Sequence, residues 1–312
     1  MSSRAGRSSI PEPLRRTVIS LAGWGFWVRR ELRRRRRRPQ GGGLAPVAAQ
    51  PAASGANAAS AVTQGAGGPA GGGGARGLDA VLPPGAPDSI LARNKHGVYC
   101  VPRAARARLA ARVTLEGEVW ESDTVDLVAG VDPTGDIVHA GTFFGDFLPA
   151  FAASRADGAI VWAFEPGEQN RRCTEITISL NGLENVKLTP AGLSASEGSA
   201  LLAVGDRDGT PLGGASRLIS DPSRLRWWDS ERVRLVAVDD VVPADRRVAA
   251  IQLDVEGHEQ EALQGALATI VRWRPLIVLE TMPAPAWVAE HLTPLGYTPQ
   301  QPVDRNVVLR CA

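Results

Sequence analysis

The sequence predicts an α/β protein built on a doubly wound, mostly parallel β-sheet. Three observations carry this. Strand-length apolar runs alternate with helical patterns along the second part of the chain, as strand–helix–strand units require. One run, Val248 to Leu253, ends abruptly in Asp254, Glu256, Gly257, His258 and Glu259 and passes at once into a helix. Open α/β sheets bind ligands at such carboxyl ends. The chain closes on Tyr297 and on Asn306 to Arg310, read as an antiparallel hairpin.

The elements follow in order. Asn94 to Pro102 reads as a short hairpin turning near Gly97, Ala104 to Arg112 as a small basic helix, and Val119 to Thr124 as the lead into another. Asp136 to Ala140 is a strand, then a glycine-bounded turn and a helix through Phe151. Ala159 to Phe164 is a strand, and a helix runs from Glu168 to Leu180. Val186 to Leu188, Ala200 to Val204 and Val233 to Val238 are β-like. After the strand at Val248, the positions Ala262, Leu263, Ala266, Leu267, Ile270 and Val271 share one helical face. Glu256, Glu259 and Glu261 sit at that helix's start, where negative charge suits the dipole. Leu276 to Leu279 is a strand and Ala284 to Leu292 a helix.

Composition divides the chain. Residues 1–95 hold fifteen Lys/Arg against four Asp/Glu, a net of +11; residues 96–312 hold twenty against twenty-nine, a net of −9. Only the second part has the periodicity to build a core. The expected organisation is a basic tail over 1–38, a disordered Gly/Ala/Pro-rich linker over 39–89 and a folded domain over 90–312. Cys100, Cys173 and Cys311 are widely spaced, with no CxxC pair, which argues against a disulfide framework or a zinc site.

In the tail, the apolar stretch Val18 to Val28, with Trp24, Phe26 and Trp27, precedes eight arginines within Arg29–Arg38. Eleven residues are too few to span a bilayer as a helix. A membrane-surface anchor on anionic headgroups, nonspecific nucleic-acid binding, and a solvated tail from a start codon set too far upstream all stand. The arginines that directly follow the apolar stretch argue against a twin-arginine export signal at Arg15-Arg16. The expected location is cytoplasmic, with peripheral contact at the inner membrane face; no specific nucleic-acid partner is expected.

The segment from Asp254 to Glu259, then Leu263 to Ala266, then Arg274 to Glu280 resembles the C-terminal signature of the FkbM-type methyltransferases. The resemblance covers residues 90–310 and implies a Rossmann-like class I methyltransferase using S-adenosyl-L-methionine. The turn His139, Gly141, Thr142, Gly145 matches the spacing of the family's first motif, with His139 where an acidic residue is common and Phe143 where a small one is usual. Glycine there lets the backbone approach a ligand. Glu165 ends the second strand, where a carboxylate accepts hydrogen bonds from both ribose hydroxyls. Its alternative is a helix-start acid satisfying local amides. The family also suggests Asn181 and Ser194 at the cofactor, although Asn181 beside Gly182 is equally a helix cap. No dinucleotide G-x-G-x-x-G follows the first strand, and no P-loop is present.

Activated methyl transfer needs an aligned nucleophile and a proton acceptor. Asp254, at the strand end, also belongs to the expected cofactor contacts; Asp254 or His258 is the expected base. Glu256 and Glu259 are expected to raise the His258 pKa. A structural carboxylate network, and a divalent cation held by Asp254, His258 and Glu280, are the competing readings. Glu121, Glu256, Glu280 and Trp227 are expected to line the acceptor side, with Thr124 facing it and Gly205 to Arg232 acting as a substrate lid. The expected activity is O-methylation of a small-molecule or glycan hydroxyl, on a sugar or secondary metabolite. A catalytically silent binding domain, or a sugar-nucleotide enzyme of another reaction type, are the alternatives.

Overall fold

The computed structural model describes residues 82–206, 208–219 and 229–311. The arginine-rich segment, the glycine-rich linker and Trp227 lie outside the described residues.

A two-stranded antiparallel hairpin opens the described chain, β1 (Ser89–Arg93) with β2 (Val98–Pro102). The turn is Asn94 to Gly97, so the first strand starts earlier than the sequence reading placed it. Its approach also touches the body: Leu82 packs on the hairpin core, and Asp88 pairs with Arg103 at 2.8 Å. The expected basic helix is instead a single 3-10 turn at Arg103–Ala105 followed by α1 (Leu109–Leu115). Next comes α2 (Ser122–Ala129).

The main sheet then forms as alternating units. They are β3 (Asp136–Ala140), α3 (Leu148–Ala153), β4 (Val161–Phe164), α4 (Glu168–Asn181) and β5 (Val186–Thr189). After an excursion the chain returns in β10 (Val248–Leu253), β11 (Leu276–Leu279), β12 (Tyr297–Pro299) and β13 (Val307–Cys311). Strand order is β12-β13-β11-β10-β3-β4-β5. From β11 to β5 all pairs are parallel, and β13 runs antiparallel to both β11 and β12. This is the expected Rossmann-like sheet with its closing hairpin. Strand order reverses direction between β3 and β10, so their carboxyl ends frame a topological switch point.

Alternation along the strands builds both cores. Val138, Ala140, Phe164, Ile251, Leu253 and Leu279 face one cluster. Ile137, Val161, Ala163, Ala250 and Val278 face the other, with Leu148 and Phe151 of α3. Asp136 locks the start of β3: it is buried and accepts hydrogen bonds from Ile160 N, Trp162 Nε1 and Arg246 Nη2 at 2.8, 2.8 and 2.5 Å.

The excursion contains a second sheet. Its strands are β6 (Gly192–Leu193), β7 (Gly198–Ala203), β8 (Arg217–Leu218) and β9 (Ser230–Val236), in the order β6-β9-β7-β8. A short α5 (Val238–Val241) leads back to β10. The helix expected through Val271 is two helices, α6 (Glu259–Gln264) and α7 (Leu267–Trp273). The break has a packing cause. Gly265 lies so close to the Ser194 carbonyl that no Cβ fits, and Asp239 caps the new helix by accepting from Ala268 N and Thr269 N at 2.8 and 2.9 Å. The phase resets, so Thr269 is buried and Val271 is 52% exposed. The last helix is α8 (Pro285–His291). Among the described residues no helix is long and apolar enough to cross a membrane.

Candidate active site

Three strand ends converge at the switch point. Gly141 N donates to Phe164 O at 3.1 Å, and Asp254 N donates to Ala140 O at 3.1 Å. Gly141 turns with φ +82, and a Cβ there would run into the Asp254 carbonyl. Only glycine allows this approach. The turn continues through Phe143, at φ +52 an uncommon left-handed conformation for a bulky residue, and ends at Gly145, φ +83. A narrow cleft of about 530 Å³, part of it open to solvent, lies beside the turn. Gly141, Phe143, Glu165, Asp254 and His258 line it, together with Leu202 of the second sheet, Leu218 beside it, and Gly213, Gly214 and Ser216 from the segment that joins them.

Glu165 is held firmly. It is 3% exposed, and its two oxygens accept from Phe143 N and Gly167 N, each at 2.9 Å. Burial pushes its carboxyl up to about 7, against the downward pull of the hydrogen bonds from Gly167, Phe143 and Asn170. An ionised carboxylate has about four acceptor positions, so with three donors already in place Glu165 keeps about one toward the cleft. The local-amide reading and the ligand reading of this residue are therefore compatible. Asn170 carries no signal in the sequence, yet it is buried, hydrogen-bonds Glu165, and donates from Nδ2 to Gly213 O at 3.1 Å.

Carboxylates gather around Asp254, which lines the cleft. Oxygens of Asp254, Glu256 and Glu280 lie within 4.8 Å of one another, a donor set of the kind hard divalent cations take. Burial and then the Glu280 charge raise the Asp254 carboxyl well above its usual range, and the two side chains hydrogen-bond. Burial and Glu280 also lift Glu256, to about 7. Glu121 is raised by burial while Asn306 Nδ2 donates to its Oε2 at 2.7 Å. Carboxyls this close share protons. His258 stands apart from the trio. Its Nε2 is 3.2 Å from Ser194 Oγ, and Nδ1 is 3.6 Å from Glu261 Oε2. Burial lowers its pKa and outweighs Glu261, so the imidazole is neutral at pH 7.

The Methyltransferase FkbM domain matches residues 138–294, half of the 312-residue chain. The chain belongs to the FkbM methyltransferase family. Among solved structures it is similar to the FkbM methyltransferase of Methylobacillus flagellatus KT, at 16% identity and TM-score 0.38, over 57% of this chain and 44% of that one. This chain thus spans less than half the length of that relative. It is also similar to an rRNA methylase from Streptococcus thermophilus, at 19% identity and TM-score 0.36, over 60% of this chain and 93% of that one. A methyltransferase from Geobacter sulfurreducens aligns at 14% identity and TM-score 0.36, over 66% and 86%. No curated protein sequence matches.

In this FkbM-family protein the motif residues divide. Gly141, Glu165, Asp254 and His258 meet at the cleft, with Ser194 against His258 and Glu256 and Glu280 against Asp254. Three expected cofactor residues point elsewhere. His139 lies between Val138 and Ala140, so strand alternation sends it through the sheet to the opposite core. There it stacks on Phe147, bonds Gln252 Oε1 through Nδ1, and leaves Nε2 unpaired. Burial holds its pKa down to about 4. Thr142 is buried against Thr174, with hydroxyl oxygens 3.2 Å apart. Asn181 donates to Val98 O and Thr177 O at 2.6 and 2.7 Å and accepts from Val98 N at 2.9 Å, tying α4 to β2. Gly145 serves the turn, packed on Leu148 and Thr174. Thr124 does not reach the cleft either; it is buried and bonded to Asp304, Val303 and Asn306. The expectation that acidic neighbours raise His258 is corrected by its burial.

Proposed function

We propose that this FkbM-family protein transfers a methyl group from S-adenosylmethionine to a hydroxyl oxygen of a sugar or secondary metabolite. The observation that carries the reading is Glu165, a buried carboxylate at the carboxyl end of β4 that lines the switch-point cleft and keeps about one acceptor position beyond its three local donors. The residues present fit the cofactor: Gly141 keeps the turn free of side chains, and Glu165 suits a ribose diol. S-Adenosylmethionine would supply a methyl group already activated on a sulfonium.

The chain's own residues then have defined tasks. Glu165 holds the ribose. The carboxylates at Asp254 and Glu280 lie where positive charge on the cofactor is best accommodated. The acceptor hydroxyl loses its proton to Asp254 or to the neutral imidazole of His258, both at the cleft. Burial, and then the charges of Glu280 and Glu256, make Asp254 more basic than an ordinary carboxylate, and it accepts the proton when the one it shares with Glu280 resides on Glu280. Glu121, Glu256 and Glu280 offer acceptors for the substrate's remaining hydroxyls. The arginine-rich segment before residue 39 is proposed, on sequence grounds alone, to rest on an anionic membrane face.

Calorimetric titration with S-adenosylhomocysteine tests the reading. Micromolar binding by the folded protein is expected. Absence of binding favours a silent domain that kept the fold.

A further inference from the structure

The turn after β3 and the second sheet meet at one aromatic ring. Phe143 is buried and lines the cleft. A Cβ on Gly213 would stand 3.1 Å from its Cε2, and one on Gly214 would stand 3.1 Å from its Cδ1. Two successive glycines are thus fitted onto this ring. The backbone of Phe143 donates to Glu165, and Asn170 bonds both Glu165 and the Gly213 carbonyl. The segment from Gly213 to Ser216 is anchored at its flanks, by Leu212 N to Val204 O and Ile219 N to Leu201 O, each at 2.8 Å. Between those anchors it presents no apolar side chain to the cleft, and the Phe143 ring, the Asn170 amide and the Ala105 methyl pack against it.

We propose that Phe143 and Asn170 form a latch that keeps the Gly213–Ser216 segment closed over Glu165, so that a nucleoside cofactor passes only when the segment lifts. The inference rests on the cofactor reading above. The left-handed backbone of Phe143 belongs to the same device. Asn adopts that conformation readily and would serve the turn, but only a ring reaches the two glycines. A closed resting state lowers the fraction of molecules open to ligand and slows association. Asn170 and Phe143 are positioning residues here, acting through Glu165 and the segment.

Stopped-flow binding of S-adenosylhomocysteine, with hydrogen exchange of the free protein, tests the latch. Phe143→Asn keeps the left-handed turn and the amide to Glu165 while removing the ring. Gly214→Ala leaves the β3 turn intact and presses a methyl against the ring from the other side. Both variants should associate about ten-fold faster, since entry no longer waits for opening, and amides 213–216 should exchange faster. Association within two-fold of wild type in both variants overturns the latch, as does a rise confined to dissociation, which signals lost contacts alone. If wild type binds no S-adenosylhomocysteine, the cofactor reading fails instead. The exchange rates then decide the latch, and unchanged protection at 213–216 in both variants overturns it.

Discussion

Replacing Glu165 by alanine separates the cost to folding from the cost to binding. Two backbone donors, Phe143 N and Gly167 N, lose their acceptor, while Asn170 also loses Glu165 but keeps its bond to Gly213 O. Each buried unpaired donor costs about 1–3 kcal/mol. The carboxyl itself carries an opposing penalty. Its pKa rises from 4.5 to about 7, and at ~1.4 kcal/mol per unit the ionised form is disfavoured by about 3.5 kcal/mol, a cost the alanine removes. The two effects nearly offset, so the melting temperature should move by only a few degrees at pH 8. Binding has no such compensation. Loss of charge-assisted hydrogen bonding to the ribose costs about 1.5–3 kcal/mol, or about 10- to 150-fold in Kd. Titration calorimetry with S-adenosylhomocysteine, beside a thermal melt, reads both. The pH dependence adds a sign. The ionised carboxylate is the better acceptor, so wild-type affinity should weaken as pH falls below about 7 and Glu165→Ala should not share that slope. For folding the sign is opposite. With the folded pKa above the unfolded one, the native state binds more protons between 4.5 and about 7, and this group's contribution to stability declines as pH rises through that window. An unchanged Kd in a folded Glu165→Ala protein would refute the ribose assignment.

Replacement of the true base, by Asp254→Asn or His258→Gln, should lower turnover ~10²–10⁴-fold with cofactor affinity within a few-fold. A His258 base gives an acidic limb below 6.5, because burial depresses its pKa, and that limb should vanish in His258→Gln. Loss of activity on chelation, restored by Mg²⁺ or Mn²⁺, would instead assign Asp254, Glu256 and Glu280 to a cation. Gly141→Ala should destabilise the domain by at least about 2–3 kcal/mol in urea melts, since a Cβ meets backbone at positive φ. Deleting residues 1–81 should leave the melting temperature nearly unchanged, whereas deletion through 88 also removes the Asp88–Arg103 pair and the Leu82 contact and should lower it. Equal co-sedimentation of full-length and truncated protein on anionic vesicles would remove the membrane proposal.

What the sequence determined by itself was whatever depends on near neighbours along the chain. Two-residue and helical periodicities write the order of β3, β4, β10 and β11, because a half-buried strand or helix must repeat its apolar positions. Glu165 and Asp254 were legible for a related reason: each is an acid ending an apolar run, and in a parallel sheet that position is a carboxyl end. His139 was also within reach, since its parity relative to Ala140 assigns it to the other face. The rest required distant segments to meet. Asn181 reads as a helix end until β2 supplies its partners at Val98. The helix through Val271 looks continuous until the Ser194 carbonyl demands Gly265. Asn170 and Phe143 acquire roles only when Gly213 and Gly214 arrive from the segment between β7 and β8. The lowered pKa of His258 follows from burial among segments far apart in sequence. Tertiary structure decided these points because desolvation and steric closeness depend on what packs from across the molecule, which local pattern does not record.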